Sequence, residues 1–458
     1  MIVDLVGRFA VKIKNPGWKR VESNNGRKHW LDQWSADYNL VNADLAEAHY
    51  LLGRPFWLTY NSDRRGRVFS LQHLNYGRED HVRAMFRFHN GMKLSSDGLF
   101  WLAVQVANCE GSTDKLTWNE RVAWVGQNYS RIERIGTVKD PGVVFNEWRD
   151  ADKPFAFVAA CREYVAAKAD PENFVTHLPV GFDHTCSGIQ HLSMICRDKS
   201  AAALVNLLDA DRPQDVYMAV ALKIKQLVNA AEGEFADWWK AIFTKLSDRD
   251  IRKLFKRPVM TFGYAAGNSS RQQQISKEYY KLFKDKASAR FMRWMKDLAE
   301  YHASRGSVLT WTSPTGFQVR NAYHVKKENI VSLQRGGIRI RFKLADGATH
   351  QIVVPKAIRS APANFVHSMD ASHLVRVVNA AIDPHEGIND ILVVHDSFAA
   401  HAPNAVRLNQ LIRRELGMMY QAYEPVAHLC ANNPCDRKPP PLGDYDPLDV
   451  LKSEWACI

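Results

Sequence analysis

The chain has 458 residues and a formal net charge of +12, with 46% hydrophobic and 24% charged residues. These proportions exclude a long disordered protein and are typical of a folded, soluble one. No apolar run is long enough to cross a bilayer, and residues 1–20 lack the continuous apolar core of a secretory signal, so we expect a cytoplasmic protein. The positive charge favours a polyanionic partner, such as nucleic acid.

Length and cysteine usage add two expectations. A chain of this size exceeds one ordinary hydrophobic core, which predicts about two to three domains. The seven cysteines are widely spread and form no Cys-x-x-Cys pair. We therefore expect reduced thiols in a cytosolic chain and no structural zinc site.

The N-terminal half predicts helices interrupted by a short strand region. Apolar residues recur at helical spacing over 39–52, and Gly53 follows as a stop signal. Residues 54–75 are typical of strands and loops and contain several arginines, whereas 101–164 is mostly helical. The apolar segment His177 to Asp183 predicts a short strand that ends on an acid.

Helical patterns dominate 189–305, and strand patterns dominate 311–354. The proline-rich segment Pro439 to Tyr445 predicts an extended connector, after which Pro447 to Glu454 predicts a short final helix.

Residues 338–354 predict a two-stranded ribbon with one apolar and one basic face. Arg339, Arg341 and Lys343 alternate with apolar residues, and Asp346-Gly347 supplies a hairpin-turn signal. A basic ribbon can enter a DNA groove. From the residues alone, a solvated hairpin face is the alternative and is favoured.

Two aspartates are candidate metal ligands. Asp183 and Asp396 each follow an apolar strand segment, and a buried carboxylate is costly unless it pairs with a cation or binds a metal. Two such acids from distant segments are what a two-metal phosphoryl-transfer site requires. A strand-end cap or a structural ion pair remains the alternative for each acid.

A helical face over 249–264 carries a candidate anion site. Arg252, Lys256 and Tyr264 share one face because they are spaced by multiples of four. A cationic pair there can grip a triphosphate, and the aromatic ring can pack near a base or sugar. The alternative is an ordinary amphipathic helix. Pro258 predicts that the helix starts or bends near that residue.

The segment 364–373 carries a third group of polar residues. His367, Asp370 and His373 are spaced by three and lie roughly on one helical face. They can be interpreted as metal ligands, but no further ligand is close in the sequence, so hydrogen-bonded core histidines are favoured.

These residues match a known family. The segments DHTCSGIQH (183–191), RKLFKRPVMTFGY (252–264) and HDS (395–397) resemble the three polymerase motifs of the phage and mitochondrial single-subunit RNA polymerases. Further segments agree in the same order, namely YNSDRRGRV (60–68), ANC (107–109), WTSPTGF (311–317) and NFVHS (364–368). The resemblance runs from about residue 40 to the C-terminus.

The resemblance implies catalytic and nucleotide-binding roles. Asp183 and Asp396 would hold two Mg²⁺ ions. Arg252 and Lys256 would bind the phosphates of the incoming nucleotide, and Lys256 would also protonate the pyrophosphate leaving group. Tyr264 would sense the sugar.

The resemblance also implies contacts with nucleic acid. His367 would contact the nascent base pair in its minor groove, and Arg67 would hold the template or hybrid backbone, assisted by Arg65 and His395. The ribbon at 338–354 falls where the family places its promoter-reading loop. Groove binding by Arg339, Arg341 and Lys343 then becomes the favoured interpretation.

Two positions separate RNA synthesis from DNA synthesis. Similar DNA polymerases of the bacterial repair type place a glutamate five residues after the first aspartate, where it blocks a ribose 2′-hydroxyl. Gly188 occupies that position here and has no side chain to clash with the ribose. Ser397 likewise follows the His-Asp pair where those enzymes have a glutamate. Both differences favour ribonucleotides.

The sequence differs from the family pattern at His184 and Ala265, where glycine is usual. Few residues precede Asp63, whereas relatives carry a promoter-binding domain and most of a thumb there. Either a second polypeptide supplies these parts, or the enzyme is a minimal form, or the chain is a degraded relative.

The predicted fold is α+β, a mostly helical right-hand polymerase with a small antiparallel palm sheet. The predicted divisions are a thumb remnant (1–53), a first palm part (54–211), fingers (212–367) and a second palm part (368–458). The predicted function is DNA-directed RNA synthesis from NTPs in phage transcription, with DNA template and RNA product as partners. The alternatives are a partner-dependent or non-catalytic nucleic-acid-binding subunit and a repair-type DNA polymerase.

Overall fold

The computed structural model describes residues 29–262, 287–335 and 338–458, apart from some side chains within these ranges. Within these residues the chain is mostly helical and carries small antiparallel sheets, which confirms the predicted α+β class. The described α-helices are α1 His29–Leu51, α2 Asp80–Arg83, α3 Gly98–Glu110, α4 Trp118–Gln127, α5 Tyr129–Thr137, α6 Phe145–Trp148, α7 Pro154–Ala169, α8 Ser187–Cys196, α9 Lys199–Leu204, α10 Val216–Ala230, α11 Glu234–Lys245, α12 Asp248–Phe262, α13 Ala287–Ala303, α14 Val354–Ala381, α15 Ala405–Ala422 and α16 Pro425–Asn432.

The described strands are short, except for the two long strands β8 and β9. They are β1 Tyr60–Ser62, β2 Val68–Ser70, β3 Met92–Lys93, β4 Val175–Thr176, β5 Pro179–Asp183, β6 Thr310–Thr312, β7 Gln318–Arg320, β8 His324–Arg335, β9 Ile338–Ile352, β10 Leu392–Val394 and β11 Ser397–His401. Short 3-10 helices cover Pro141–Val144, Ala402–Asn404 and Pro447–Lys452. Within the described residues, the predicted elements are confirmed in type, including the extended connector before Pro447. Part of the predicted helical region, 263–286, lies outside the described residues.

Strands β10, β11 and β5 form a three-stranded antiparallel sheet in the order β10-β11-β5, named the central sheet because it carries both Asp183 and the turn with Asp396. Strands β10 and β11 form a hairpin in which Val394 pairs with Ser397, so His395 and Asp396 make a two-residue turn. His395 has a φ of 56°, as tight hairpin turns require. Strand β11 then pairs with β5, and Ser397 lies opposite Asp183.

Two hydrophobic cores meet at this sheet. The first collects buried residues from 45–182 and 374–412, including Phe182 of β5 and Phe398 of β11. The second collects buried residues from 189–369 and 416–456, including most of α8. The turn from β5 into α8 therefore leads from one core to the other. Its polar residues lie at the junction of the two cores.

The basic ribbon is longer than predicted, and its predicted turn is wrong. Arg335 pairs with Ile338, so the two strands are connected through 336–337, which lie outside the described residues. Asp346-Gly347 lies inside β9, where the pairing shifts between Glu328↔Ala345 and Lys326↔Ala348. Because β9 has one extra residue there and Gly347 has a φ of 81°, the Asp-Gly signal marks a bulge instead of a turn.

The prediction for Pro258 is wrong in one respect. Helix α12 starts at Asp248 and continues through Pro258 to Phe262. A proline in a helix costs about 3 kcal/mol, and the burial of Ile251, Phe255 and Val259 in the second core offsets part of that cost.

The extended connector fixes the C-terminal end of α8. Gly443 donates its backbone N–H to the carbonyl of Cys196 at 2.9 Å, and Tyr445 donates to the carbonyl of Arg197 at 3.0 Å. A Cβ on Gly443 would lie 2.2 Å from the Arg197 carbonyl oxygen. Only glycine lets the connector approach the helix this closely.

We predict that Gly443→Ala lowers the free energy of unfolding by about 1–3 kcal/mol, because the added methyl group forces the connector away from α8. Urea denaturation measures this change as a lower midpoint. Gly126→Ala, in α4 with no atom within 4 Å of its Cβ position, is the matched control and should stabilise by about 0.5–1 kcal/mol. An unchanged midpoint for Gly443→Ala would contradict the close-approach argument.

Candidate active site

The two predicted metal-binding aspartates come together at the end of the central sheet. Asp183 is the last residue of β5, and Asp396 lies in the β10–β11 turn. The hydroxyl of Ser397 donates to Asp183 Oδ1 at 2.7 Å, and the backbone N–H of His184 donates to the carbonyl of Asp396 at 3.3 Å. Ile458 exchanges two backbone hydrogen bonds of 2.9 Å with Asp183, so the last residue in the sequence adds to the support of this edge.

The electrostatics of the pair fit a bound cation. Burial and the charges of Asp183 and Asp370 raise the pKa of Asp396 to about 7, although a hydrogen bond from Ser187 opposes the shift. Among the residues that the structure describes, no group of three His, Cys, Asp or Glu side chains could hold a metal ion. A site with two carboxylates still suits Mg²⁺, which takes one or two protein carboxylates and completes its shell with waters and substrate phosphates.

Helix α8 begins directly beside the aspartates. Cys186 precedes it with a φ of 70°, a left-handed conformation that turns the chain from strand into helix. Gly188, the residue predicted to leave room for the ribose, is buried in the first turn. Burial raises the pKa of the Cys186 thiol, a shift that the charge of Lys256 partly opposes. The cationic face of α12 therefore reaches this end of α8.

The predicted phosphate-binding arginine has a partner that the sequence did not indicate. Arg252 Nε donates to Asp215 Oδ2 at 2.5 Å, and the ammonium of Lys115 lies 3.8 Å from the same oxygen. Asp215 also caps α10 by accepting from the backbone N–H groups of Tyr217 and Met218. Burial alone would raise the pKa of Asp215, but the two cations and these hydrogen bonds hold it below its ordinary value.

Sequence reasoning missed Lys115 and Asp215 as members of this cluster. Lys115 lies in the loop between α3 and α4, 137 positions before Arg252. Burial lowers the pKa of its ammonium group. In the sequence, the only indication of a role for Lys115 is its position just beyond the ANC segment (107–109). Lys256, the second predicted phosphate-binding residue, is exposed on α12. Tyr264, the predicted sugar sensor, lies outside the described residues.

The predicted template-holding arginine is anchored on a buried acid. Arg67 donates to Asp370 Oδ2 from Nη2 at 2.9 Å and from Nε at 3.2 Å. Asp370 also lies 3.7 Å from His191, whose other ring nitrogen is 2.8 Å from the Tyr420 hydroxyl. Asp370 is therefore an anion that positions Arg67 and not a metal ligand of the 364–373 segment. His373 is a buried core residue that bonds to the Ile412 carbonyl, as favoured from the sequence.

The remaining residues that were predicted to bind nucleic acid lie in two places. Arg65 and His367 contact each other beside Arg67, with 3.0 Å between Arg65 Nη1 and His367 Nδ1. The ring of His395 packs edge-on against Phe69 of β2, with ring centroids 4.8 Å apart. The ribbon residues lie apart from this group on β9. Arg341 and Lys343 are exposed there, and Arg339 pairs with Gln334.

The comparison with known families shows which family this chain belongs to. The family model of the DNA-dependent RNA polymerases matches residues 92–305 and 281–433, which include both aspartates and the cationic helix. The chain belongs to this family. The right-hand polymerase fold of the phage and organellar single-subunit enzymes, predicted from the motifs, is confirmed.

Relatives come from phages and from plant organelles. The chain is 28% identical to the DNA-directed RNA polymerase of Enterobacteria phage K11, over 88% of this chain and 52% of the relative. It is 26% identical to T7 RNA polymerase of Escherichia phage T7, over 96% and 57%. It is 29% identical to the chloroplastic DNA-directed RNA polymerase 3 of Nicotiana sylvestris, over 87% and 44%. The chain spans about half the length of the curated relatives it matches.

The structure also tests whether a helix of this chain could span a membrane. Among the described residues, no helix combines the length and the apolar character needed to cross a lipid bilayer.

The raised pKa of Asp396 gives a prediction about stability. Its folded pKa of about 7 lies above the ordinary value of 3.8, so ionisation of this carboxyl costs stability as the pH rises through 7. In EDTA at pH 8, Asp396→Asn should therefore raise the free energy of unfolding by on the order of 1 kcal/mol. The gain should shrink as the pH falls towards 5, where the native carboxyl is neutral.

Urea denaturation at pH 5 and pH 8 measures this difference. Asp150→Asn, whose side chain is 84% exposed, is the control and should leave the unfolding free energy unchanged at both pH values. An Asp396→Asn protein that is less stable than the native chain at pH 8 would contradict the conclusion that ionisation of Asp396 destabilises the fold.

Proposed function

We propose that this chain is the catalytic part of a DNA-directed RNA polymerase. In the proposed reaction, the 3′-hydroxyl of an RNA attacks the α-phosphate of a template-selected NTP and releases pyrophosphate. The observation that carries the proposal is the pairing of Ser397 with Asp183. It brings the two family aspartates to one sheet edge, beside a cationic helix of the kind that binds triphosphates.

Divalent metal ions are expected in this family, and we propose two Mg²⁺ ions bound by Asp183 and Asp396. Bound there, the ions would neutralise phosphate charge and activate the attacking hydroxyl. The chain contributes by holding the carboxylates in place. Ser397 orients Asp183, and the turn at His395 places Asp396 against it.

The cationic cluster would bind the triphosphate. Arg252 is held by Asp215 in this structure, and we propose that substrate phosphates compete with that carboxylate for its guanidinium. Lys115 adds a second positive charge beside Arg252. Lys256 would donate a proton to the pyrophosphate as it leaves, and Tyr264 would sense the sugar.

Nucleic acid would lie on the opposite side of the aspartates. Arg67, fixed by Asp370, would hold the template or hybrid backbone, and His367 would contact the nascent base pair. His395, through its place in the turn, would border the same strand. The ribbon with Arg339, Arg341 and Lys343 would read the promoter groove.

We further propose the palm and fingers divisions given by the sequence, with palm parts 54–211 and 368–458 around fingers at 212–367. Template DNA, RNA product and NTPs would be the partners, in the cytoplasm of a phage-infected bacterium. A second polypeptide that completes the grip on the template remains part of this proposal.

Removing either aspartate should abolish RNA extension. We predict that Asp183→Asn and Asp396→Asn each lower the extension rate by at least about 100-fold, because charge stabilisation at the phosphate is lost. Extension of a fluorescent RNA primer on a preformed RNA–DNA scaffold measures the rate. Both variants should still bind the scaffold in a gel-shift assay. Near-native extension by either variant would refute the metal-site assignment, and Asp150→Asn serves as the control.

The sugar-sensing role gives a separate prediction. We expect Tyr264→Phe to reduce the preference for NTPs over dNTPs by about tenfold, because the hydroxyl that would recognise the ribose is removed. Single-nucleotide extension with ATP and dATP measures the ratio of kcat/KM values. A ratio equal to that of the native chain would exclude Tyr264 as the sugar sensor.

A further inference from the structure

The contact between Arg65 and His367 constrains the histidine proton. Arg65 Nη1 lies 3.0 Å from His367 Nδ1. An arginine guanidinium carries only hydrogen-bond donors. The Nδ1 atom of His367 must therefore be the acceptor in this contact and cannot carry a proton.

Arg65 is itself held in one position. Asp63 Oδ2 accepts from Arg65 Nε at 2.7 Å and from Nη2 at 2.5 Å. Asp63 Oδ1 accepts from the backbone N–H groups of Arg65 at 2.8 Å and Arg67 at 3.1 Å. The guanidinium is thus clamped to its own loop by a carboxylate, which leaves Nη1 directed at the histidine.

A second feature of the same loop is the close approach of Gly66 to Phe317. Gly66 has a φ of 82°, and a Cβ at this position would lie 3.2 Å from the ring of Phe317. A side chain would strain the backbone there and disturb the ring. The loop therefore presents Arg65 to His367 in one conformation.

A neutral imidazole carries one proton, so a ring that accepts at Nδ1 donates at Nε2. Burial and the charges of Arg67 and Arg65 lower the pKa of His367 to about 3, which keeps the ring neutral at physiological pH. His367 is therefore an Nε2–H donor in this structure.

We propose that Arg65 is a positioning residue that makes His367 an obligate hydrogen-bond donor to the minor-groove edge of the nascent base pair. The inference rests on the proposed function for its substrate and on the Arg65–His367 contact for its chemistry. Every Watson–Crick pair presents a purine N3 or pyrimidine O2 acceptor in the minor groove. A hydrogen-bond donor fixed at this place can bond to the minor-groove acceptor of every correct base pair, whereas a hydrogen-bond acceptor could not.

The tautomer can be tested without any catalysis. In the full chain labelled with [¹⁵N]histidine, ring ¹⁵N chemical shifts show which nitrogen is protonated, and His367→Asn identifies the signals of residue 367. We expect an unprotonated Nδ1 in the native chain and in Arg65→Lys, which keeps a donor. Arg65→Met, of similar length but with no donor, should gain Nδ1–H population. A native ring protonated at Nδ1, or an Arg65→Met ring with unchanged shifts, would overturn the proposal.

Nucleotide analogues test the consequence for synthesis. 3-Deaza-ATP lacks the N3 acceptor, so the native chain and Arg65→Lys should use it with kcat/KM about 3- to 10-fold below that for ATP. In Arg65→Met and His367→Ala this ratio should approach one. If Arg65→Met lowers kcat/KM for both nucleotides equally and keeps the native ratio, Arg65 supports structure only and the proposal fails. If no variant extends RNA while the chemical shifts follow expectation, the proposed function fails and the positioning role stands.

Discussion

The pairing of β11 with β5 places two acids where their charges repel each other. Burial and the charge of Asp183 push the pKa of Asp396 to about 7, so the folded chain carries this arrangement at a cost in stability. Hydrogen bonds and hydrophobic packing around the two acids offset part of that cost. Hydrogen bonds from Ser397 and Ser187 reach the two acids, and the two hydrophobic cores hold the strands and α8 on either side.

The surrounding charges are arranged so that the cations lie near the aspartates without neutralising them. Arg252 is paired with Asp215, and Arg67 is paired with Asp370. Burial lowers the pKa of His184 to about 4 and holds the pKa of His373 well below its ordinary value, so both rings are neutral. The negative charge of the aspartates thus stays available to a divalent cation. The two paired arginines keep part of their side chains exposed, 23% for Arg252 and 16% for Arg67.

The sequence predicted features that depend on local patterns, and it missed those that depend on distant partners. Both aspartates were found because each follows an apolar strand, and their meeting was expected from the family motifs. Asp215 and Lys115 were missed because ion pairs between segments that lie 37 and 100 positions apart leave no periodic signal. The ribbon turn was misplaced because Asp-Gly is used as a bulge in β9, while the pairing of Arg335 with Ile338 sets the turn elsewhere.

Extension of an RNA primer on a preformed RNA–DNA scaffold, with Mg²⁺ and either NTPs or dNTPs, tests the central claim most directly. The scaffold removes any need for promoter recognition, so the result reports on the chemistry of this chain. Extension with NTPs and little or none with dNTPs is the predicted result. Equal use of dNTPs would contradict RNA synthesis, and scaffold binding without extension by either nucleotide set would contradict an active site complete in this chain.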